Sequence, residues 1–444
     1  MKAAMSSLLW LAALSTAQST ASTSRFILTI SGTQSLSGGE RVPLPTVPPN
    51  FQTSAFLTLS TSAQSGHTTL SSNATGSTTS SGKPLTNIGG GNGTRSATAT
   101  VSGTSPAQPS NTQPCNNYPE FCNRKYSNIT EVCAHNSPYT RANNIARNQE
   151  YGVTQQLNDG IRMLQGSAHY VNGTLYYCHS SCDLLNAGTV EDYLVEVTAW
   201  VEAHPFDVIT ILFGNSNWAD TDADGKPLVT SVDFVEPIEK SGLKQYIYQP
   251  PKTAMTLEDW PTLSEMILNN DRVVTFIDYN FDTDNVPYLL WEFFNIWETP
   301  FSPTSDEFPC TLGRPEGLTE DHMRNMMYMA NHNLNAEISI AGLNLLVPNV
   351  AEINHTNGLT GDGSLGLMTN TCTAMWNRPP NFLLVDFYNQ GSVNGSVFEV
   401  AARANNVTYN RKCCGNATST GFRPLRPSTT HVLFVALIGV VLAL

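Results

Sequence analysis

The sequence predicts an α/β fold for residues 115–414, arranged as a β/α barrel or a doubly wound sheet. Short apolar runs recur at Leu175-Tyr176-Tyr177, 208–213, 273–277 and 382–385, each the length of a strand buried on both faces. Helical patterns lie between these runs, and such alternation marks a parallel sheet covered by helices. The stretch is also long enough to bury one large core. The clearest helix starts at Thr189, with Asp192 three residues on, close to a capping box. Val190, Tyr193, Leu194, Val197, Trp200 and Val201 then fall on one apolar stripe.

The flanks differ in composition. Residues 1–17 join Lys2, an apolar stretch ending at Leu14 and the small residues Ser15-Thr16-Ala17, which predicts a secretory leader. Residues 18–114 are rich in Ser, Thr and Gly, cannot bury enough apolar surface to order themselves, and predict a glycosylated stalk. Residues 415–444 run from small residues through a polar spacer into a terminal apolar run shorter than a bilayer span. That order predicts a glycosylphosphatidylinositol signal with attachment at Ser419, Asn416 being second choice. Glycosylation sequons stand at Asn73, Asn92, Asn128, Asn172, Asn354, Asn394, Asn406 and Asn416.

A net charge of −13, with no basic patch, excludes nucleic acid as a partner. Nine cysteines in an oxidising compartment predict disulfides with at least one thiol left over. Cys115 with Cys122, Cys178 with Cys182 and Cys310 with Cys372 are candidate pairs, but spacing does not fix connectivity. No second cysteine pair supports a zinc site at Cys178 and Cys182.

Several runs end in polar residues, the place where a β/α barrel keeps its active site. His135 lies in Ala134-His135-Asn136-Ser137-Pro138-Tyr139, and His179 follows Tyr176-Tyr177-Cys178. Two imidazoles at the ends of neighbouring strands can serve as base and acid, since each titrates near neutrality. Asn215, Asp278 and His332 end other runs; a structural role is expected for His332. A glycoside hydrolase would need a carboxylate pair at strand ends, and none stands out.

The order of these segments, with Gln156-Leu157-Asn158-Asp159-Gly160-Ile161-Arg162 between the histidines, resembles the phosphatidylinositol-specific phospholipase C-like phosphodiesterases, especially their fungal and plant extracellular branch. The resemblance spans residues 115–414 and implies a TIM-type β/α barrel, often irregular. It implies His135 as general base, His179 as general acid and Asp386 as the group orienting a histidine, with a phospholipid or related phosphodiester as substrate and no cofactor. Asn136, His169, Asn215 and Asp278 are the expected substrate contacts. Active members carry charged residues where this chain has Gln165 and Ser167. Calcium favours several oxygen ligands including carboxylates, so no metal site is expected despite Asn136. Arg162 should point away from the site, leaving His169 to supply positive charge. The opposing expectation is a catalytically impaired barrel that binds or builds at the cell surface.

Overall fold

The computed structural model describes residues 113–340 and 343–415. The predicted leader, the stalk, Ser419, the terminal apolar run and the sequons at Asn73, Asn92 and Asn416 lie outside them. The strands, in chain order, are β1 (Glu131–Ala134), β2 (Met163–Val171), β3 (Thr174–Cys178), β4 (Asn186–Thr189), β5 (Ile209–Asn215), β6 (Val273–Ile277), β7 (Leu289–Trp291), β8 (Ile296–Glu298), β9 (Met327–Asn331), β10 (Asn335–Ile340), β11 (Leu343–Pro348) and β12 (Phe382–Val385). The helices are α1 (Val153–Asp159), α2 (Val190–Ala203), α3 (Val235–Lys240), α4 (Leu263–Asn269), α5 (Glu292–Asn295), α6 (Glu320–Arg324), α7 (Ile353–Thr356), α8 (Leu365–Trp376) and α9 (Ser396–Ala404).

Eight strands form one parallel sheet in the order β7-β6-β5-β2-β1-β12-β9-β8. Taken as a ring, that is chain order, with β12 closing onto β1 and a seam between β7 and β8. The fold is therefore an irregular TIM-type barrel, as expected, rather than a doubly wound sheet. Alternate residues of every strand point inward. Cys133, Met163, Leu212, Phe276, Leu290, Ile296, Met329 and Leu384 pack together inside, while their neighbours Val132, Leu164, Ile211, Ile277, Leu289, Trp297, Ala330 and Val385 pack against the outer layer. Tyr126, whose hydroxyl meets Thr210, stacks near Trp260 at the lower end of this interior.

The Thr189 cap is present: its hydroxyl accepts from Asp192 N–H and donates to the Asp192 carboxylate at 2.7 Å. One apolar run takes a different role. Leu175-Tyr176-Tyr177 belongs to β3, which pairs antiparallel with β2 and stands outside the parallel ring. Asn172 (φ 50°) and Gly173 (φ 84°) make the tight turn between them, as two left-handed residues do in a type I′ hairpin. His179 therefore ends a hairpin arm, and β2 lies between its strand and β1.

The pairs Cys115–Cys122, Cys178–Cys182 and Cys310–Cys372 are bonded, as is Cys413–Cys414. Cys133, buried in β1, is the free thiol among the described residues. Arg162 points out of the barrel onto Asp207 at 2.8 Å and the Trp200 ring. His332 is buried in the outer layer between Phe308, Met368 and the Thr356 carbonyl. Both are structural.

Candidate active site

Inward positions turn from apolar to polar at the C-terminal ends of the strands. His135, Gln165, Ser167, His169, Asp278, Glu292, Glu298, Asn331 and Asp386 all carry inward parity. At this level β5 offers only Gly214, where a Cβ would come 3.2 Å from the Ser167 Cα and Oγ. Asn215 has the opposite parity: its amide donates to the Val229 carbonyl and its backbone N–H to Asp278. It buttresses Asp278 instead of lining the mouth.

The β12–β1 side carries a dyad. His135 Nδ1 lies 2.8 Å from Asp386 Oδ1, which also accepts from the Asn148 amide at 2.8 Å. A carboxylate only accepts, so Nδ1 is the donor of this pair, and the neutral imidazole held this way has its lone pair on Nε2. Gln149 fixes the backbone beneath by donating to the carbonyls of His135 and Val385. Asn136 takes a left-handed φ of 49°, and its N–H donates to Gln165 Oε1 at 2.8 Å. Gln165 thus ties down the loop after β1. Asn136 Oδ1, Asn148 Oδ1 and Asp386 Oδ2 are buried without a donor.

His179 is held by the Cys178–Cys182 disulfide, by its N–H on the Leu185 carbonyl, and by Tyr139 packing edge-on at 5.1 Å. The Tyr139 hydroxyl in turn sits between the carbonyls of Ser167 and Cys178, at 2.7 Å from each. Burial pushes the His179 pKa down to about 4, and the nearby imidazoles of His135 and His169 push the same way. His169 is itself lowered, mainly by burial, so this site disfavours the cation that the sequence reading asked of it.

The β6–β8 side carries a second cluster. Arg314, in the loop after β8, forks onto Glu298 through Nε and Nη2 and approaches the Tyr279 hydroxyl at 3.4 Å. Its guanidinium lies over the rings of Phe301 and Phe293, at 4.4 and 5.4 Å. Asn331 also donates to Glu298. Burial opposes ionisation of Glu298, but Arg314 outweighs it and holds the group below its ordinary range. Glu292 is fully buried, neither oxygen receives a hydrogen bond from a donor group, and its carboxyl reaches Glu298. Two carboxylates can share a hydrogen bond only if one is protonated. Burial first and Glu298 second drive the Glu292 pKa well up, which favours its neutral form. Burial also raises Asp278, to about 6, against N–H donors from Asn215 and Tyr279 and the charge of Arg314.

Sequence reasoning missed Glu292, Glu298 and Arg314, and a carboxylate pair does stand at strand ends. It does not restore a glycosidase reading, which needs carboxyls about 5–9.5 Å apart with substrate or water between them. Here Glu298 is held by Arg314, and burial favours the neutral form of Glu292. Among the described residues, no cluster of three His, Cys, Asp or Glu is arranged to hold a metal.

The family model PI-PLC X 1 matches residues 121–400, which takes in both histidines, Asp386 and the Glu292–Glu298–Arg314 cluster. The chain belongs to the PI-PLC X domain family. It is 57% identical over 323 residues to an uncharacterized secreted protein of Arthroderma benhamiae, covering 73% of this chain and 71% of that one. It is 39% identical over 281 residues to a PI-PLC X domain-containing protein of the same fungus, covering 63% and 86%. A PI-PLC X domain-containing protein of Arabidopsis thaliana is 26% identical over 284 residues, covering 62% and 59%. Among solved structures, a phosphatidylinositol-specific phospholipase C of Staphylococcus aureus is similar at 12% identity and a TM-score of 0.37, covering 65% of this chain and 95% of that one.

Proposed function

We propose that this chain is a secreted, surface-anchored phosphoric diester hydrolase of the phospholipase C type. The observation that carries the reading is the His135–Asp386 contact at 2.8 Å, which leaves His135 Nε2 free as a base. In this reading Nε2 takes the proton of a hydroxyl beside the phosphodiester. The resulting alkoxide attacks phosphorus in line, the bond to the departing alcohol breaks, and a cyclic phosphate forms. His179 delivers a proton to the departing oxygen. Its low pKa makes it a strong acid once protonated, and an anionic diester in the mouth favours that protonation. The secreted name of the A. benhamiae relative and the four disulfides support an extracellular site of action. The leader, the stalk and anchorage at Ser419 complete the reading. So does glycosylation of the sequons.

The test is turnover of a soluble inositol phosphodiester by the purified full chain. Wild type should turn over, and His135→Ala should cut the rate by about 10²–10⁴-fold, the usual worth of a positioned base, with an unchanged melting curve. An inactive wild type, or an unaffected variant, would overturn the reading. One observation favours the alternative of a binding or structural barrel. Arg314 is engaged by Glu298 on two nitrogens, and positions 165 and 167 carry no charge to meet a phosphate.

A further inference from the structure

Five sequons fall among the described residues, and the asparagine of each is exposed. Three sit on segments that leave the C-terminal ends of barrel strands, the end that carries the site. Asn172 is at the tip of the β2–β3 hairpin, whose arms hold His169 and lead to His179. Asn394 lies in the loop after β12, eight residues beyond Asp386, and Asn354 is in α7, on the path that follows β9. The strands concerned, β2, β12 and β9, run side by side with β1 and its His135. Asn128 precedes β1 and Asn406 follows α9, so these two belong to the opposite end. No hydrogen bond occupies the amides of Asn172, Asn354 or Asn394 among the described residues.

Each of the three also has an exposed valine close by in sequence. Val171 is 38% exposed, Val350 50% and Val393 50%. A mouth rimmed by exposed valines would gain free energy by entering a bilayer surface. An N-linked glycan is bulky and strongly hydrated, and one beside each valine would hold the rim in water.

We propose that N-glycans on Asn172, Asn354 and Asn394 fence the histidine side of the mouth, bar it from lying on a bilayer, and restrict it to polyol phosphodiesters presented in water. This rests on the phosphodiesterase reading for the identity of the substrate, but the fence itself is tested by binding. The full chain, with any lipid anchor removed enzymatically so that it cannot insert by itself, is sedimented with vesicles of phosphatidylcholine and phosphatidylinositol, alongside Asn172→Gln/Asn354→Gln/Asn394→Gln and wild type trimmed under native conditions by an endoglycosidase, both likewise freed of the anchor. Peptide mapping reports occupancy. Wild type should stay in the supernatant, and both stripped forms should bind vesicles at least about tenfold more, the change that immersing one valine brings. Both should cleave a soluble inositol phosphodiester as wild type does. Unoccupied sequons, or equal sedimentation of all three forms, would overturn the fence. Loss of cleavage of the soluble diester in every form would instead overturn the phosphodiesterase reading, with the sedimentation result still deciding the fence.

Discussion

The two walls of the barrel mouth hold themselves together by different means. From β9 through β12 and β1 to β2, neighbouring strands are joined by parallel backbone pairing. At the other wall no backbone pairing joins β7 to β8 among the described residues. There, Glu292 from the β7 side meets Glu298 from the β8 side. Arg314 forks onto Glu298 and also reaches Tyr279, just past β6, and Phe293. Side-chain charge takes the place of missing main-chain hydrogen bonds. The polar groups differ in the same sense. Around His135 the donorless buried oxygens are spread over three residues, Asn136, Asn148 and Asp386, whereas at the seam they are confined to Glu292 and Glu298 has its acceptors filled. In the proposed function the first wall meets the substrate, and the second closes the seam.

Removing the cation of the seam should have the largest effect on stability. Arg314→Met would leave Glu298 buried, charged and without its partner, and losing one member of such a pair costs about 3–5 kcal/mol. Urea unfolding of the full chain should show a loss of that size. Adding Glu298→Leu should restore much of it, since the stranded charge then goes too. A loss under about 1 kcal/mol, the scale of a surface ion pair, would mean that the seam does not depend on this cluster.

The opposite wall should answer in rate rather than in stability. In Asp386→Asn the amide can still accept from His135 Nδ1 but no longer balances an imidazolium. Turnover of a soluble inositol phosphodiester should fall about 10²-fold or more, while the urea midpoint moves far less than in Arg314→Met. If the midpoint collapsed instead, Asp386 would be a structural residue and the contrast between the walls would fail.

Much of the substrate wall was legible because its signals are local. Phe382-Leu383-Leu384-Val385 ends directly on Asp386, and residues 273–277 end on Asp278, so an apolar strand with a polar terminus marks each ring position. The same rule fits Leu290 to Glu292 and Ile296 to Glu298. It could not be applied there because β7 and β8 are three residues each and sit among Trp291, Phe293, Phe294 and Trp297, which reads as one apolar block. Arg314 had no local signal at all. It lies 16 residues beyond Glu298 in a loop, and only the folded chain brings the two together. The hairpin carrying His179 was misjudged as a barrel strand because apolar content does not separate parallel from antiparallel pairing. The Asn172-Gly173 turn was the overlooked signal.

The smallest and most diagnostic effect should come from Glu292→Gln. Glutamine keeps the shape and can still donate to Glu298, yet cannot ionise. In the native protein the Glu292 pKa is raised above its ordinary value, so the folded chain holds a proton that the unfolded chain releases. By linkage, the stability from this group is complete below its unfolded pKa and declines as the pH rises toward the native one. Wild type should therefore lose stability from about pH 4.5 upward through this group, and Glu292→Gln should lack that component. At neutral pH the variant should match wild type or exceed it by about 1 kcal/mol, the worth of a hydrogen bond kept without the cost of holding the proton. The slope difference between the two urea-midpoint curves is the measurement. Parallel curves across this range would show that Glu292 is ionised in the folded protein, and the seam would then hold two negative charges against the single cation of Arg314.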